Sequence, residues 1–217
     1  MKILFVAFQF PPRGGAGVHR SINFVKTLPK FGYKPIVFTI SSKDVYKMNE
    51  IVDESLLLDI PANTEIIRTK SYIPFKFFSF LKRIKLYRLF WFFLYPIFWE
   101  SSVLWSIFSY KRAKKTIFEN NIKLVYTTSG PFSSMILGFL LKRNLKIKWV
   151  ADLRDPFTEA YFWDFPSKIH WYLGRFFERY FFNKPDYLIV NTEEVKKLYL
   201  KRKLVSKNKI KVINNGF

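Results

Sequence analysis

Residues 2–31 read KILFVAFQFPPRGGAGVHRSINFVKTLPKF, and this stretch decides the fold of the chain. Its first part, Ile3 to Phe8, is short and wholly apolar, which predicts a strand covered on both faces. A loop containing Gly14, Gly15 and Gly17 follows, and a helix is predicted from about Val18 to Phe31. A strand, a glycine loop and a helix in this order are typical of the first unit of a Rossmann-like sheet.

The glycine loop is placed to bind an anion. Glycines let a ligand approach the backbone because no Cβ stands in the way, and the free N–H groups at a helix start favour negative charge. Arg13 and Arg20 add positive charge at the same end. We therefore predict a phosphate or pyrophosphate site formed by Gly14, Gly15, Gly17 and Arg20, with a tight turn that binds nothing as the alternative.

Two common nucleotide-binding patterns are absent from this part of the sequence. Arg20 stands where the dinucleotide fingerprint has its third glycine. The second predicted strand, about 34–40, runs into Ser41 and Ser42, with no acid placed for a ribose hydroxyl. No Walker-type Gly-Lys-Ser/Thr sequence occurs in the chain.

Composition limits the chemistry that the chain can carry. At 217 residues it fits one domain, alone or within a larger architecture, and 49% hydrophobic content allows a sizeable core. The absence of cysteine excludes disulfides and thiolate metal sites and fits a reducing compartment, and the two separated histidines argue against a metal site. We predict no metal and no cofactor.

The chain is strongly basic. Its 37 Lys and Arg against 16 Asp and Glu give a net charge of +21. Such a charge favours anionic partners: nucleic acid, acidic lipid head groups or phosphorylated substrates. The N-terminus does not read as a signal peptide, because the loop from Gln9 to Gly17 interrupts its apolar run.

Residues 72–110 form an unusual insert of aromatic, aliphatic and basic side chains, with no acid between Glu65 and Glu100. This mixture is typical of a segment that lies at an anionic membrane surface. Pro96 and Glu100 argue against a membrane-spanning helix. The alternatives are a hydrophobic cap on the core and a contact with a further domain.

Predicted strands alternate with predicted helices along the whole chain. The later strands are expected at 65–68, 124–127, 147–151, 187–190 and 210–213. The alternation predicts an α/β fold: a doubly wound, mostly parallel Rossmann-like sheet with helices on both faces. The first and fourth strands should be neighbours, so loops at 14–17, 128–129, 152–155 and 191–192 should meet at one edge of the sheet.

Asp152 and Asp155 flank Arg154 at a predicted strand end. Two carboxylates beside a guanidinium can orient sugar hydroxyls, or act as catalytic acid and base with separated pKa values. The alternative is an internal ion pair that fixes the loop. We expect Asp152 and Asp155 to be catalytic and Arg154 to bind substrate.

Three further residues are candidates for substrate binding. Thr128 and Ser129 offer hydroxyls after the fourth strand, although ordinary turn capping is an alternative. His19 stands at the start of the first helix, near the predicted phosphate site, and a structural imidazole is equally compatible with that position.

Several motifs resemble the N-terminal domain of glycosyltransferase family 4, the retaining, nucleotide-sugar-dependent enzymes of GT-B fold. The opening strand with Pro11-Pro12 and Gly14-Gly15 agrees with that family, and residues 149–156 (WVADLRDP) match it most specifically. Residues 128–134 (TSGPFSS) resemble the serine-proline turn of a subgroup involved in cell-surface polysaccharide synthesis. Residues 213–217 resemble the asparagine-glycine start of a second domain.

The resemblance implies a function and a domain organisation. Residues 1–213 would be the acceptor-side Rossmann-like domain, and 214–217 the start of a linker to an absent C-terminal domain. The enzyme would move a sugar from a nucleotide-sugar to a membrane-associated glycan or lipid-linked acceptor, with the isolated fragment inactive. It would be cytoplasmic and peripheral at the inner face of the membrane.

Two departures from the family pattern keep other functions open. Many relatives carry a histidine where this chain has 152–155, and no two glutamates here have seven residues between them. The main alternative is a non-catalytic, cationic membrane-surface module. A nucleic-acid binder ranks third because the aromatic residues of the insert are mixed with aliphatic ones and no binding motif is present, so we predict no nucleic-acid partner.

Overall fold

A parallel sheet forms the centre of the protein. The computed structural model describes residues 1–48, 51–94, 100, 102–160 and 165–215. Within these residues the sheet has seven strands, β1 (Lys2–Ala7), β2 (Lys34–Ile40), β3 (Glu65–Thr69), β4 (Leu124–Thr128), β5 (Lys148–Leu153), β6 (Tyr187–Val190) and β7 (Ile210–Val212). Their order is β3-β2-β1-β4-β5-β6-β7, and every neighbouring pair is parallel. The predicted α/β fold class is confirmed.

Helices connect the strands. They are α1 (Ala16–Thr27), α2 (Ser42–Lys47), α3 (Phe75–Arg83), α4 (Tyr87–Leu94), α5 (Val103–Phe108), α6 (Tyr110–Glu119), α7 (Ser134–Leu145), α8 (Lys168–Phe181) and α9 (Glu193–Lys201). The first helix starts earlier than predicted and changes to a 3₁₀-helix at Leu28–Phe31. The change follows from Pro29, which lacks the N–H that an α-helix needs there. Gly32, with φ of 79°, then ends the segment.

The first strand is buried on both faces, as its apolar sequence predicts. Leu4 and Val6 belong to one core cluster, and Phe5 and Ala7 belong to another. Since side chains alternate along a strand, these clusters lie on opposite faces of the sheet. Helix α1 contributes to the Phe5 cluster, whereas α7 and α8 pack against the Leu4 cluster. Helices therefore cover both faces.

The strand register brings three strand ends to the same edge. Ala7 pairs with Thr128, and Thr128 pairs with Asp152. On the far side of β5, Leu153 pairs with Val190. The loops that follow β1, β4 and β5 therefore leave the sheet side by side, which is where open α/β sheets bind ligands.

The aromatic insert divides into two parts with different surroundings. Helices α3 and α4 pack against each other through rings such as Phe77 and Phe90, whose centroids are 5.2 Å apart. Both helices also carry exposed apolar side chains: Phe77, Phe80, Leu89, Phe92 and Phe93. In α5, by contrast, Trp105 is fully buried and its Nε1 donates to Thr69 Oγ1 at 2.8 Å.

Of residues 72–110, predicted to lie at a membrane surface, α5 therefore contributes to the core. Membrane contact by the rest of the insert stays a prediction. Residues 95–99 and 101 of this insert lie outside the described residues. In the part of the chain that the structure describes, no helix has both the length and the apolar character needed to cross a bilayer.

Candidate functional site

A cavity of about 1010 Å³ lies at the edge where β1, β4 and β5 end. Gln9 follows β1, Ser129 follows β4 and Arg154 follows β5, and all three line it. The insert forms another part of the wall through Phe75, Phe78, Lys82, Tyr87 and Trp91. The cavity thus joins the polar loops of the sheet to the inner side of α3 and α4.

The structure brings about half of the predicted site residues to this cavity. The residues that line it are Gly17, Arg20, Ser129, Arg154 and Asp155. Gly14, Gly15, His19, Thr128 and Asp152 are not part of the lining, and neither are Asn191 and Thr192. The three loops after β1, β4 and β5 therefore meet as expected, whereas the loop after β6 does not reach the cavity.

The glycine loop presents the start of α1 to the cavity. Gly15 precedes the helix with φ of 94°, a conformation that favours glycine. Gly14 donates its N–H to the Ile51 carbonyl at 2.8 Å, and a Cβ there would lie 2.8 Å from Ile51 Cγ2. Ala16 and Gly17, the first residues of the helix, line the cavity. Helix starts of this kind leave N–H groups that attract anions.

Arg154 holds the loops together. Its guanidinium donates to the carbonyls of Ser129, Gly17 and Gly130, and to Oε1 of Gln9 at 3.0 Å. Four of its five N–H groups are therefore used by the protein. Burial lowers the pKa of Arg154, although the charges of Asp152 and Asp155 partly oppose that shift.

The glycine at position 17 is explained by Arg154. A Cβ on Gly17 would meet Gln9 Oε1 first and would lie 2.5 Å from Arg154 Nη1, and one on Gly130 would lie 3.0 Å from Arg154 Cζ. Both are shorter than van der Waals contact. The guanidinium occupies the space that these glycines leave open, so the glycines serve internal packing as well as ligand access.

Arg20 and Asp152 form a buried ion pair. Nε and Nη2 of Arg20 donate to the two carboxylate oxygens at 3.0 and 2.7 Å, and Thr128 Oγ1 donates to the same carboxylate at 3.0 Å. Burial opposes the charge on Arg20, but the hydrogen bond and attraction to Asp152 outweigh it, so the pKa of Arg20 is raised. The alternative expected from the sequence was an ion pair within the loop around Arg154, whereas the pair found here joins Asp152 to Arg20 of α1. The catalytic role of Asp152 stays a prediction.

The remaining donors of Arg20 reach the end of the described chain. Nη1 donates to the Asn214 carbonyl at 3.1 Å and to Asn215 Oδ1 at 3.0 Å. Arg20 thus has one N–H group left for a ligand. Its predicted role in binding a donor phosphate stays a prediction, and the structure gives it other partners.

Asp155 differs from Asp152 in its surroundings. Asp152 is fully buried because β5 continues to Leu153, beyond the predicted strand end. Asp155 is exposed, lines the cavity and has no hydrogen-bond partner for its carboxylate among the described residues. Of the two acids predicted to be catalytic, Asp155 is therefore the one that a substrate in the cavity can reach.

The hydroxyl candidates are occupied by internal hydrogen bonds, and the histidine candidate lies elsewhere. Ser129 Oγ accepts the backbone N–H of Arg154 at 3.0 Å, while Thr128 Oγ1 is bonded to Asp152. His19 is exposed on α1. The substrate-binding roles of these three residues stay predictions.

Glu100 is a cavity residue that the sequence reasoning missed. Its two carboxylate oxygens accept the backbone N–H groups of Phe132 and Ser133 at 3.0 and 2.7 Å, and it lines the cavity. Burial raises the pKa of Glu100 to about 7, although these hydrogen bonds favour its charged form. A signal was present in the sequence, since Glu100 is the only acid between Glu65 and Glu119.

Glu100 also holds the start of helix α7. Ser133 precedes α7 but makes no capping hydrogen bond with its side chain. Its Oγ lies 2.7 Å from Ser102 Oγ instead. The carboxylate of Glu100 accepts the N–H groups that precede the helix and so holds the insert against the start of α7.

The wall formed by the insert is aromatic and positively charged. The rings of Tyr87 and Trp91 are stacked with centroids 6.1 Å apart, and Lys82 Nζ lies 5.2 Å from the centre of the Tyr87 ring. Burial raises the pKa of Tyr87. Flat aromatic faces beside an ammonium group suit a sugar ring or an apolar chain that carries a phosphate.

No metal site accompanies these groups in the described part of the chain. No group of three or more His, Asp or Glu side chains there is arranged to hold a metal ion. The predicted absence of a metal and of a cofactor stays a prediction.

Solved structures show which class of fold this is. A glycosyltransferase from Rickettsia africae ESF-5 is 17% identical with a TM-score of 0.54, over 99% of this chain and 43% of that one. The UDP-GlcNAc 2-epimerase from Methanocaldococcus jannaschii in complex with UDP-GlcNAc and UDP is 14% identical with a TM-score of 0.53, over 99% and 47%. The fold is thus that of one Rossmann-like domain of the GT-B type.

A family match identifies the group of proteins more closely. The sequence model of Glycosyltransferase Family 4 matches residues 13–217, and the chain belongs to that family. The predicted family resemblance is confirmed. No curated protein matches the chain. The chain spans less than half the length of the solved structures named above.

Proposed function

We propose that the protein to which this chain belongs transfers a sugar from a nucleotide-sugar to a membrane-associated glycan or lipid-linked acceptor. The observation that carries the proposal is the cavity itself. In a family 4 chain, it joins the start of α1, the exposed carboxylate of Asp155 and an aromatic, basic wall. Cell-surface polysaccharide synthesis is the process that we propose for this activity.

The donor diphosphate would lie against the start of α1. Ala16 and Gly17 line the cavity there, and backbone N–H groups at a helix start stabilise negative charge. A solved neighbour binds UDP-GlcNAc, which supports a nucleotide-sugar as the donor class. Arg154 would hold the loop in position, since its guanidinium bonds to Gly17.

We propose a retaining transfer in which the donor phosphate assists departure of the nucleotide. As the sugar–phosphate bond breaks, negative charge develops on the phosphate, and the α1 start stabilises it. The acceptor hydroxyl attacks the same face of the sugar, and its proton goes to a phosphate oxygen. Asp155 would orient acceptor or sugar hydroxyls, while Asp152 fixes Arg20 below them.

The acceptor would occupy the part of the cavity that the insert forms. Tyr87 and Trp91 offer stacked rings, and Lys82 offers a positive charge beside them. An acceptor linked to a lipid through phosphate has both an apolar part and an anionic part. The exposed residues of α3 and α4 would hold the domain at the cytoplasmic face of a membrane.

The test is sugar transfer by the protein expressed from its full reading frame. We expect transfer of labelled sugar from at least one nucleotide-sugar to a membrane lipid extract, and no turnover by residues 1–217 alone. Asp155→Asn should reduce kcat/KM by at least about tenfold, since a bonded carboxylate is worth that much. Asp59→Asn, which alters an exposed acid outside the cavity lining, should not. Absence of transfer from every common nucleotide-sugar would reject the proposal.

The second candidate is a non-catalytic membrane-surface module. The exposed aromatic residues on α3 and α4, together with the charge of +21, favour it. It predicts that the 217-residue chain binds anionic vesicles in a salt-sensitive way whether or not Asp155 is intact. Loss of sugar transfer on Asp155→Asn with unchanged vesicle binding would assign separate roles to the cavity and the surface.

A further inference from the structure

Helix α8 carries a largely exposed apolar stripe, whose last member, Tyr180, also contacts the ring of Phe139 on α7. Its members are Ile169, Tyr172, Phe176 and Tyr180, whose side-chain exposure lies between 43% and 69%. They are spaced three, four and four residues apart, so they lie along one side of the helix. The opposite side packs on the core through Phe177 and Phe181. Helix α8 is therefore apolar on two sides.

The charges at the surface of α8 are positive. Lys168 and Arg179 are exposed, and Arg175 lies over the ring of Trp171 at 4.8 Å. The acid of the helix, Glu178, is fully buried, where it bonds to Thr158 and Arg202. Just beyond the helix, Lys184 Nζ lies 4.7 Å from the centre of the Tyr180 ring. The stripe is thus bordered by cations, and one of them, Arg175, pairs with Glu159.

The stripe begins next to the insert. His170, at the start of α8, lies with Nε2 2.9 Å from the carbonyl oxygen of Phe92, and the two rings are 4.8 Å apart. Phe92 and Phe93 at the end of α4 are themselves exposed. The apolar surfaces of α4 and α8 therefore meet at this contact, although the two helices are far apart in sequence.

We propose that α8 docks on the surface of an anionic lipid bilayer, as a second contact beside α3 and α4. Aromatic side chains bordered by lysine and arginine match the boundary between acyl chains and acidic head groups. A second copy of the chain fits less well, because two faces with the same cations would repel each other. With α8 as well as α3 and α4 at the bilayer, the domain would have a fixed orientation relative to the membrane, whereas the contact of α3 and α4 alone would let it rotate. This inference rests on the membrane part of the proposed function.

The experiment measures sedimentation of the 217-residue chain with vesicles of equimolar phosphatidylglycerol and phosphatidylcholine. The first variant is the double substitution Tyr172→Ser with Phe176→Ser, and the second is Arg179→Glu, which leaves the stripe intact. Phe31→Ser is the matched control, since Phe31 is 72% exposed, stands between lysines and follows α1 on the other side of the sheet. Circular dichroism verifies that each variant is folded.

We expect each α8 variant to bind the vesicles about tenfold more weakly than the control, from the loss of buried apolar area or of charge attraction. Added salt should weaken binding of the wild type. Binding equal to the control in both α8 variants would overturn the inference for α8 alone. A further variant, Phe93→Ser, tests α4: if it weakens vesicle binding while the α8 variants do not, the membrane contact of α4 is retained and that of α8 is rejected. No vesicle binding by the wild type would overturn both membrane contacts and leave sugar transfer to a water-soluble acceptor as a separate question. A dimer without vesicles that the double variant abolishes would identify a second copy as the occupant and overturn the proposal.

Discussion

Arg154 Nη1 donates to the carbonyl of Gly17 and occupies the place that a side chain at position 17 would need. The two residues are 137 positions apart in sequence: Gly17 lies in the first turn of α1, and Arg154 lies in the loop after β5. The contact therefore connects the glycine loop to the carboxylate of Asp155, one residue after Arg154. Any change in this contact should alter both sides of the cavity together.

Gly17→Ala should destabilise the chain, because the new Cβ would lie 2.5 Å from Arg154 Nη1. Overpacking of this kind costs about 1–3 kcal/mol, less the gain of up to about 1 kcal/mol for alanine in a helix. In the Arg154→Ala background, the same change should cost less, because the clash with Arg154 is gone. Gln9 Oε1 is still close to position 17, but it ends a side chain that has also lost its bond to Arg154. Urea unfolding of the four proteins in this double-mutant cycle measures the coupling.

Gly15→Ala serves as the control for backbone strain. A Cβ at Gly15 meets no atom within 4 Å, but φ is 94°. Its cost should therefore be the same with and without Arg154. A Gly17→Ala cost that is also independent of Arg154 would contradict the packing explanation.

Asp152→Ala should be among the most damaging single changes in the chain. It leaves Arg20 buried and without its main partner, and breaking such a pair costs about 3–5 kcal/mol. Asp152→Asn should cost less, because an amide oxygen still accepts one bond from Arg20. Thermal unfolding tests the order. Equal effects of the two substitutions would show that the charge of Asp152 accounts for the whole effect, and that the hydrogen bond kept by the amide contributes nothing.

Glu100 should make stability depend on pH. Its pKa is raised from 4.5 to about 7, so between these values the folded chain binds more protons than the unfolded chain. The free energy of unfolding should therefore decrease as pH rises through this window, by up to about 3 kcal/mol, and should level off above it.

Glu100→Gln isolates this effect from the other titrating groups. The amide does not titrate, so the wild type should lose stability relative to this variant as pH rises from about 4.5 to about 7. Urea unfolding at several pH values gives the difference. A difference that stays constant, or grows in the opposite direction, would mean that the two backbone hydrogen bonds govern the Glu100 carboxyl instead.

Trp91→Ala should weaken binding of the acceptor and leave binding of the donor almost unchanged. Trp91 lines the cavity beside Tyr87, in the wall formed by the insert, whereas we place the donor at the start of α1. Loss of one stacking face should raise the acceptor KM by roughly tenfold or less. Steady-state kinetics of the full-length protein with each substrate varied in turn provides the test. Phe118→Ala, which removes an exposed ring of α6 outside the cavity lining, is the control.

The positions of the strands were predictable from the sequence because each buried strand appears as a short run of apolar residues. The second strand was expected at 34–40 and is found at Lys34–Ile40. The expected end of β5 was too early, however, since the strand continues to Leu153. The prediction ended the strand before Asp152 because a charged side chain is usually exposed. Pairing with Arg20, which is distant in sequence, is what allows the acid to be buried inside a strand.

The contacts of the site itself were less predictable, because they join distant segments. Glu100 and Ser133 are 33 positions apart, and no local sequence pattern shows that the Glu100 carboxylate binds the backbone N–H groups before α7. The sequence also did not show that the insert divides into an exposed part, α3 and α4, and a buried part, α5. Trp105 is an aromatic residue like those of α3 and α4, and only its contacts with Phe8, Phe38 and Thr69 in the folded chain show that it belongs to the core.

The position of β4 beside β1 affects the order of events during synthesis. Leu4 pairs with Val125, so the central strand must wait for its second neighbour until the whole aromatic insert has left the ribosome. During that interval the core against which the insert packs is incomplete, so the apolar side chains of α3 and α4 are exposed. Exposed apolar surface of this kind binds chaperones or lipid. Assembly of the nascent domain at a membrane would shelter these helices until translation reaches the fourth strand.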